Sequence, residues 1–159
     1  MTHPPTRELL SLYSKYLWVN ELYARYRSAY RREGDFLSQA LQTGEIGSFE
    51  EGFRSEMYMS LWFSTLYIVV EGWPALRERD DTLKSLLRSP NKDLLRQFRD
   101  ATFHASDWED AGLAGLVAKG QASFEWVEKV TLAFRRFFAP IARVDREGRR
   151  RLRRPKTKN

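Results

Sequence analysis

An uncharged stretch in the middle of the chain decides the fold. Between Glu56 and Glu71 run fourteen residues without a formal charge, MYMSLWFSTLYIVV (57–70). A membrane-spanning helix needs about 20 apolar residues, so this segment is too short to cross a bilayer. A helix that is apolar on all sides instead belongs at the centre of a helical bundle. The Gly-Trp-Pro sequence at 72–74 is expected to end or kink it, because proline interrupts helical hydrogen bonding.

Helical periodicity extends on both sides of this stretch. Apolar and aromatic residues recur at steps of three and four, as they do on one face of an α-helix. The predicted helices cover about residues 7–32, 35–42, 48–72, 80–87, 91–104 and 120–141, with a connection at 105–119. No segment alternates polar and apolar residues in the manner of a strand. The prediction is an all-α, up-and-down bundle of four main helices plus one or two short ones.

The basic charge is concentrated at the end of the chain. The 159 residues include 27 Lys and Arg and 21 Asp and Glu, a net charge of +6. Residues 143–159 hold nine basic and two acidic residues, which leaves 18 basic and 19 acidic residues over 1–142. We therefore predict a near-neutral bundle domain over 1–142. Residues 143–159 are expected to form a basic, disordered tail, since blocks of like charge are usually solvated.

The sequence lacks the residues that several classes of chemistry require. The absence of cysteine excludes disulfides and thiolate catalysis. There is no Gly-rich phosphate loop, and no Glu-x-x-His pair of the kind that di-metal bundles use, so we predict no metal and no cofactor. The start of the chain lacks a signal-peptide pattern. We expect a cytoplasmic protein with no integral membrane association.

One of the two histidines lies inside a predicted helix. His104 ends the 91–104 helix, whereas His3 lies in a Pro-rich start. Histidine has an unperturbed pKa near neutrality, so His104 is the candidate for acid–base chemistry. Asp100, four residues earlier, shares its face of the helix and can orient the ring. Arg99, five residues earlier, points about 140° away on an ideal helix. A bend in the helix or a second copy of the chain is needed to bring Arg99 to His104.

The segment from Arg99 to His104 resembles the motif of the HEPN superfamily. Members are small helical bundles with an arginine, usually a polar residue next, and a histidine after four to six intervening positions. The segment is also similar to bacterial helical proteins that read Arg-Asn-x-x-Phe-His, with Asp100 here in place of the asparagine. The resemblance implies a homodimer with a composite site that cleaves RNA without a metal. His104 would act as general base or acid on the ribose 2′-hydroxyl, Arg99 would stabilise charge on the scissile phosphate, and Asp100 would orient His104.

Other arginines are candidates for contact with RNA phosphates, because they release counterions on binding. They are Arg96, Arg149, Arg150, Arg151, Arg153 and Arg154.

The alternative is a non-enzymatic dimeric interaction module whose basic tail contacts an acidic partner, for example a cognate protein. In that case His104 interacts with the last carbonyls of its helix. Arg96 and Asp100 then form an ordinary surface ion pair. Peripheral membrane contact by the tail is a weaker alternative, since it offers few apolar residues.

A stripe of tyrosines on the first helix has two interpretations. Its members recur at helical spacing and are Tyr13, Tyr16, Tyr23, Tyr26 and Tyr30. Aromatic rings can stack on unpaired bases. Such a stripe is more often a packing face, and tyrosine in place of leucine favours a half-exposed seam. We therefore expect a dimer interface along this helix.

Overall fold

The computed structural model describes residues 5–33, 49–76, 80–103 and 121–152, with the backbone alone for residues 33, 49–53 and 145–152. The helices are α1 (Arg7–Glu33), α2 (Phe49–Gly72), α3 (Asp81–Leu86), α4 (Lys92–Phe103) and α5 (Gln121–Leu152), with a 3₁₀ turn at Trp73–Ala75. These ranges contain no strand, which confirms the predicted all-α class. The helix predicted at 35–42 and the connection at 105–119 lie outside the described residues.

Side-chain contacts give the four long helices alternating directions. The pairs that set the directions are Leu12–Gly72 and Tyr23–Trp62 for α1 and α2, Thr102–Ser64 and Arg99–Tyr67 for α4 and α2, and Tyr13–Phe138 and Tyr26–Phe124 for α1 and α5. For each pair of helices, the contact that lies farther along one helix lies earlier along the other, so the two helices are antiparallel. The up-and-down arrangement is therefore confirmed.

Helix α2 lies at the centre of the bundle, as its sequence predicts. Its fully or nearly buried apolar residues are Met59, Trp62, Phe63, Leu66, Val69 and Val70. Burying one large apolar side chain stabilises a fold by about 1.5–3 kcal/mol, so this helix supplies much of the core. Within the described ranges, no helix combines the length and apolar character that crossing a bilayer requires.

The tyrosine stripe of α1 belongs to the core, and its prediction as a half-exposed dimer seam is wrong. Tyr13, Tyr16, Tyr23 and Tyr26 are at most 9% exposed, and of the stripe only Tyr30 is exposed. Two of the hydroxyls find acceptors on α5: Tyr23 donates to Glu128 Oε1 at 2.8 Å, and Tyr16 donates to the Thr131 carbonyl oxygen at 3.4 Å. A tyrosine with a hydrogen-bonded hydroxyl can be buried as readily as an apolar ring.

The ends of the helices largely follow their capping residues. The Thr6 hydroxyl accepts a hydrogen bond from the Leu9 amide at 3.2 Å, and the Asp80 carboxylate accepts one from the Leu83 amide at 2.8 Å. Side chains of this type satisfy the amides that a first helical turn leaves without partners. Helix α2 ends at Gly72, as predicted, and a 3₁₀ turn that contains Pro74 follows it directly.

Helix α5 is longer than predicted. We expected it to end near residue 141, but it continues past Pro140 to Leu152. The first ten residues of the predicted disordered tail therefore have a helical backbone. Arg, Leu and Glu, which dominate this segment, have high helix propensity, and this outweighs the repulsion among like charges. Residues 153–159 lie outside the described residues, and the domain boundary at 142 stays a prediction.

Candidate nucleic-acid interface

Helix α4 buries one face and leaves another open. The buried side chains are Leu94, Leu95 and Phe98, which face the core. Lys92, Arg96, Arg99 and Phe103 follow one another at steps of four, three and four, so they share a second face. Lys92 and Arg96 are exposed, Arg99 is partly exposed, and Phe103 is 60% exposed. We call these four residues the α4 stripe.

Arg99 is the most constrained cation of the stripe. Its Cζ lies 4.9 Å from the centroid of the Tyr67 ring on α2, a cation–π distance. Its Nε and Nη2 both donate to Asp100 Oδ1, at 2.8 and 2.7 Å. The hydrogen bond to Asp100 is the main cause that raises the pKa of Arg99 above its usual value, and charge interactions with Tyr67 and Glu71 add to it. Arginine is always charged in proteins, and these contacts favour the charged form further.

The ion pairs on α4 differ from the predicted pair. Arg96 lies 3.5 Å from Asp93, and Asp100 binds its neighbour Arg99, so the predicted Arg96–Asp100 pair is wrong. Adjacent helical residues do not normally face each other. The long Arg99 side chain reaches Asp100 because it bends along the helix surface, with its guanidinium against the Tyr67 ring. His104 lies outside the described residues, so its orientation by Asp100 stays a prediction.

The last turn of α4 packs against α2 around the Ser64 hydroxyl, whose single proton can be donated to only one of its neighbours. The Ser64 hydroxyl lies 3.2 Å from the Phe98 carbonyl oxygen and 3.0 Å from the Thr102 hydroxyl. Thr102 donates to the Phe98 carbonyl at 2.6 Å, and the Phe98 ring packs edge-on against Phe63. Side chains on a helix that is held in this way present a defined geometry to a ligand. Arg99 and Phe103 both belong to this turn.

The remaining predicted RNA contacts lie on another helix or beyond the described residues. Arg149, Arg150 and Arg151 lie in the last turns of α5, where the backbone is described. Arg153 and Arg154 lie outside the described residues. The structure therefore joins Arg96 and Arg99 on one face of α4.

Sequence reasoning missed three members of this surface. Lys92 and Phe103 lie at helical spacing from Arg96 and Arg99, so the helical periodicity around these arginines points to both. Tyr67 comes from a different helix, and no spacing along the chain points to it. In the part of the chain that the structure describes, no three His, Cys, Asp or Glu side chains are grouped to share a metal ion.

Comparisons with known proteins give no relative from which a function can be transferred. Protein-family models, curated proteins and solved structures were all compared with the chain, and none matches it.

Proposed function

We propose that this chain is an HEPN-like RNA-binding protein that cleaves RNA without a metal ion, with α4 as the face that meets RNA. The observation that carries the proposal is the α4 stripe, where Lys92, Arg96 and Arg99 stand in line with an exposed Phe103. Lysine and arginine neutralise backbone phosphates. An exposed aromatic ring stacks on an unpaired base. The combination fits a single RNA strand that follows the helix.

The proposed chemistry assigns a proton transfer to His104 and charge stabilisation to Arg99. His104 takes the proton of a ribose 2′-hydroxyl, and the 2′-oxygen attacks the adjacent phosphorus. The bond from phosphorus to the 5′-oxygen breaks, this oxygen takes up a proton, and a 2′,3′-cyclic phosphate remains. Arg99 offsets the charge that develops on the phosphate oxygens. In this proposal a homodimer completes the site: Arg99 and His104 diverge by about 140° on an ideal helix, and the HEPN resemblance implies a composite dimer site. Metal independence follows from the HEPN resemblance.

A cleavage assay in the presence of a chelator tests the enzymatic part of the proposal. Structured and unstructured RNA are incubated with the wild-type protein, His104→Ala, Arg99→Gln and the control Arg88→Gln, an exposed arginine that precedes α4. Wild type and Arg88→Gln should yield 2′,3′-cyclic ends. His104→Ala should bind RNA without cleaving it, and Arg99→Gln should lose cleavage. Equal and negligible cleavage by wild type and His104→Ala would remove the enzyme from the proposal.

The second candidate is a non-enzymatic dimeric interaction module whose basic end contacts an acidic partner protein. The helical backbone over 143–152 favours it, because arginines on a helix meet a partner with less loss of conformational entropy than arginines on a disordered chain. Deletion of residues 143–159 should then abolish partner binding, whereas His104→Ala should leave it unchanged. Loss of RNA cleavage in His104→Ala, with cleavage retained after the deletion, favours the RNA-cleaving protein.

A further inference from the structure

We infer that Asp100 is a competing carboxylate: it occupies the edge of the Arg99 guanidinium that a phosphate takes, and so makes this face selective for polyanions over isolated anions. The inference rests on the proposed function in one respect, namely that the polyanion is RNA. It adds a specificity-determining residue to that function. It also gives Asp100 a role toward Arg99, in addition to the predicted orientation of His104.

The hydrogen-bond geometry shows which edge of Arg99 is occupied. A guanidinium binds carboxylate or phosphate best through two parallel N–H groups. On Arg99, the Nε and Nη2 groups that form such an edge both donate to Asp100 Oδ1, at 2.8 and 2.7 Å. The Tyr67 ring lies against the guanidinium at 4.9 Å. A phosphate that seeks a two-point contact at the Nε/Nη2 edge must therefore displace Asp100.

The charges around Arg99 oppose an isolated anion. Asp100 on α4 and Glu71 on α2 both interact electrostatically with the guanidinium. Two carboxylates around one arginine leave the immediate surroundings negative. A single phosphate ion is repelled there, and it has no second point of attachment that compensates. A strand that also binds Lys92 and Arg96 can gain enough to displace Asp100 from Arg99.

Displacement of Asp100 is physically accessible because the pair is at the surface. The Arg99 and Asp100 side chains are 34% and 40% exposed, so the Asp100 carboxylate can rotate into the solvent when it is displaced. Exposed ion pairs of this kind are weak. The neighbouring pair of Arg96 and Asp93 makes a longer contact of 3.5 Å, with side chains 54% and 60% exposed. Asp93 is therefore a matched control: the same charge on the same helix, with a looser hold on its arginine.

The test compares Asp100→Asn with Asp93→Asn, using as probes inorganic phosphate and a single-stranded 2′-O-methyl uridine oligonucleotide, which lacks the 2′-hydroxyl that cleavage needs. Removing a like charge next to a bound phosphate should tighten oligonucleotide binding by Asp100→Asn about tenfold, and by Asp93→Asn much less. The ¹H–¹⁵N signal of Arg99 Nε reports the edge directly. In Asp100→Asn this signal should shift when phosphate is added, whereas in wild type it should not shift. Asp100→Ser serves as a second variant with the same expectation, and circular dichroism checks that each variant is folded.

The outcomes separate this inference from the proposed function. Equal tightening by Asp93→Asn and Asp100→Asn would contradict the competing carboxylate, because the effect would then be one of net charge. If no variant binds the oligonucleotide, the RNA-binding function is wrong, and the Arg99 Nε signal still decides the role of Asp100. An Arg99 signal in Asp100→Asn that ignores phosphate overturns the inference.

Discussion

The indole Nε1 of Trp62 donates a 3.1 Å hydrogen bond to the hydroxyl of Thr131, and this bond joins the central helix to α5 inside the core. Both side chains are fully buried. Thr131 in turn donates to the Val127 carbonyl oxygen at 2.9 Å, so its hydroxyl has partners on both sides. The rings of Tyr23 and Tyr26 pack on the same indole. The hydrogen bond joins α2 to α5, and the two tyrosine rings pack α1 on the same indole, so three helices meet at Trp62.

Thr131→Val should therefore destabilise the protein. The substitution keeps the shape of the side chain but leaves Trp62 Nε1 buried without its acceptor, at a cost of about 1–3 kcal/mol. Thr82→Val, on the exposed surface of α3, is the control and should change the free energy of unfolding by less than about 0.5 kcal/mol. Urea denaturation of both variants measures the difference. Equal losses would mean that the hydrogen bond contributes nothing of its own.

Burial raises the pKa of Tyr16 to about 12, and Arg135 opposes part of this rise. The folded state thus holds the phenolic proton more tightly than the unfolded state, whose pKa is 10.0. The associated stability is fully present below pH 10 and is lost as the pH rises toward 12. In Tyr16→Phe the free energy of unfolding should fall less steeply over this interval than in wild type. Denaturation curves measured across the interval check this, with Tyr30→Phe on the exposed end of the stripe as control.

Burial also raises the pKa of Glu56 above its usual 4.5, so here too the folded state binds the proton more tightly. The pKa shift then favours folding at low pH, and this advantage is lost as the pH rises from 4.5 through the raised value. Glu56→Gln replaces the carboxyl with a group that does not ionise, so its free energy of unfolding should not fall over this pH range. The variant should therefore be more stable than wild type at neutral pH. Thermal melts at acidic and neutral pH measure it, with the exposed Glu8→Gln as control. A variant less stable than wild type at neutral pH would show that the Glu56 carboxylate has a stabilising partner.

Phe103→Ala should weaken the binding of single-stranded RNA without changing the stability of the fold. The ring is 60% exposed, so it adds little to the core. A stacked base contributes about 1–3 kcal/mol, which corresponds to a loss of affinity between about fivefold and more than a hundredfold. Leu10→Ala removes an apolar side chain that is 45% exposed on α1, and it should leave RNA binding intact. Fluorescence anisotropy with a labelled single strand makes the comparison.

The sequence predicts most of the fold because its helices carry strong local signals. The uncharged run at 57–70 could only be a central helix, and Thr6 and Asp80 cap the helices that follow them. Local signals fail where a distant partner decides the outcome. The tyrosines of α1 resemble a half-exposed seam until α5 supplies acceptors such as Glu128. The helical end of α5 is not predicted when charge repulsion is given more weight than helix propensity.

The candidate site could be predicted in some of its residues but not in its pairing. Arg99 and Asp100 follow from the motif, and Arg96 from its charge. The fold-back of Arg99 over Tyr67 depends on the packing of α4 against α2, which no spacing along the chain encodes. This packing gives Asp100 a partner different from the one that helical geometry alone suggests.

The central claim is that RNA follows the α4 stripe, and the salt dependence of binding tests it most directly. Removal of one cation that binds a phosphate of a single strand should reduce the slope of log K against log salt by about 0.7. The variant Lys92→Gln/Arg96→Gln/Arg99→Gln should therefore lose about 2 units of slope. The control Arg7→Gln/Lys84→Gln/Arg88→Gln removes the same charge from exposed positions outside the stripe and should keep the wild-type slope. Equal slopes for the two variants would contradict the account.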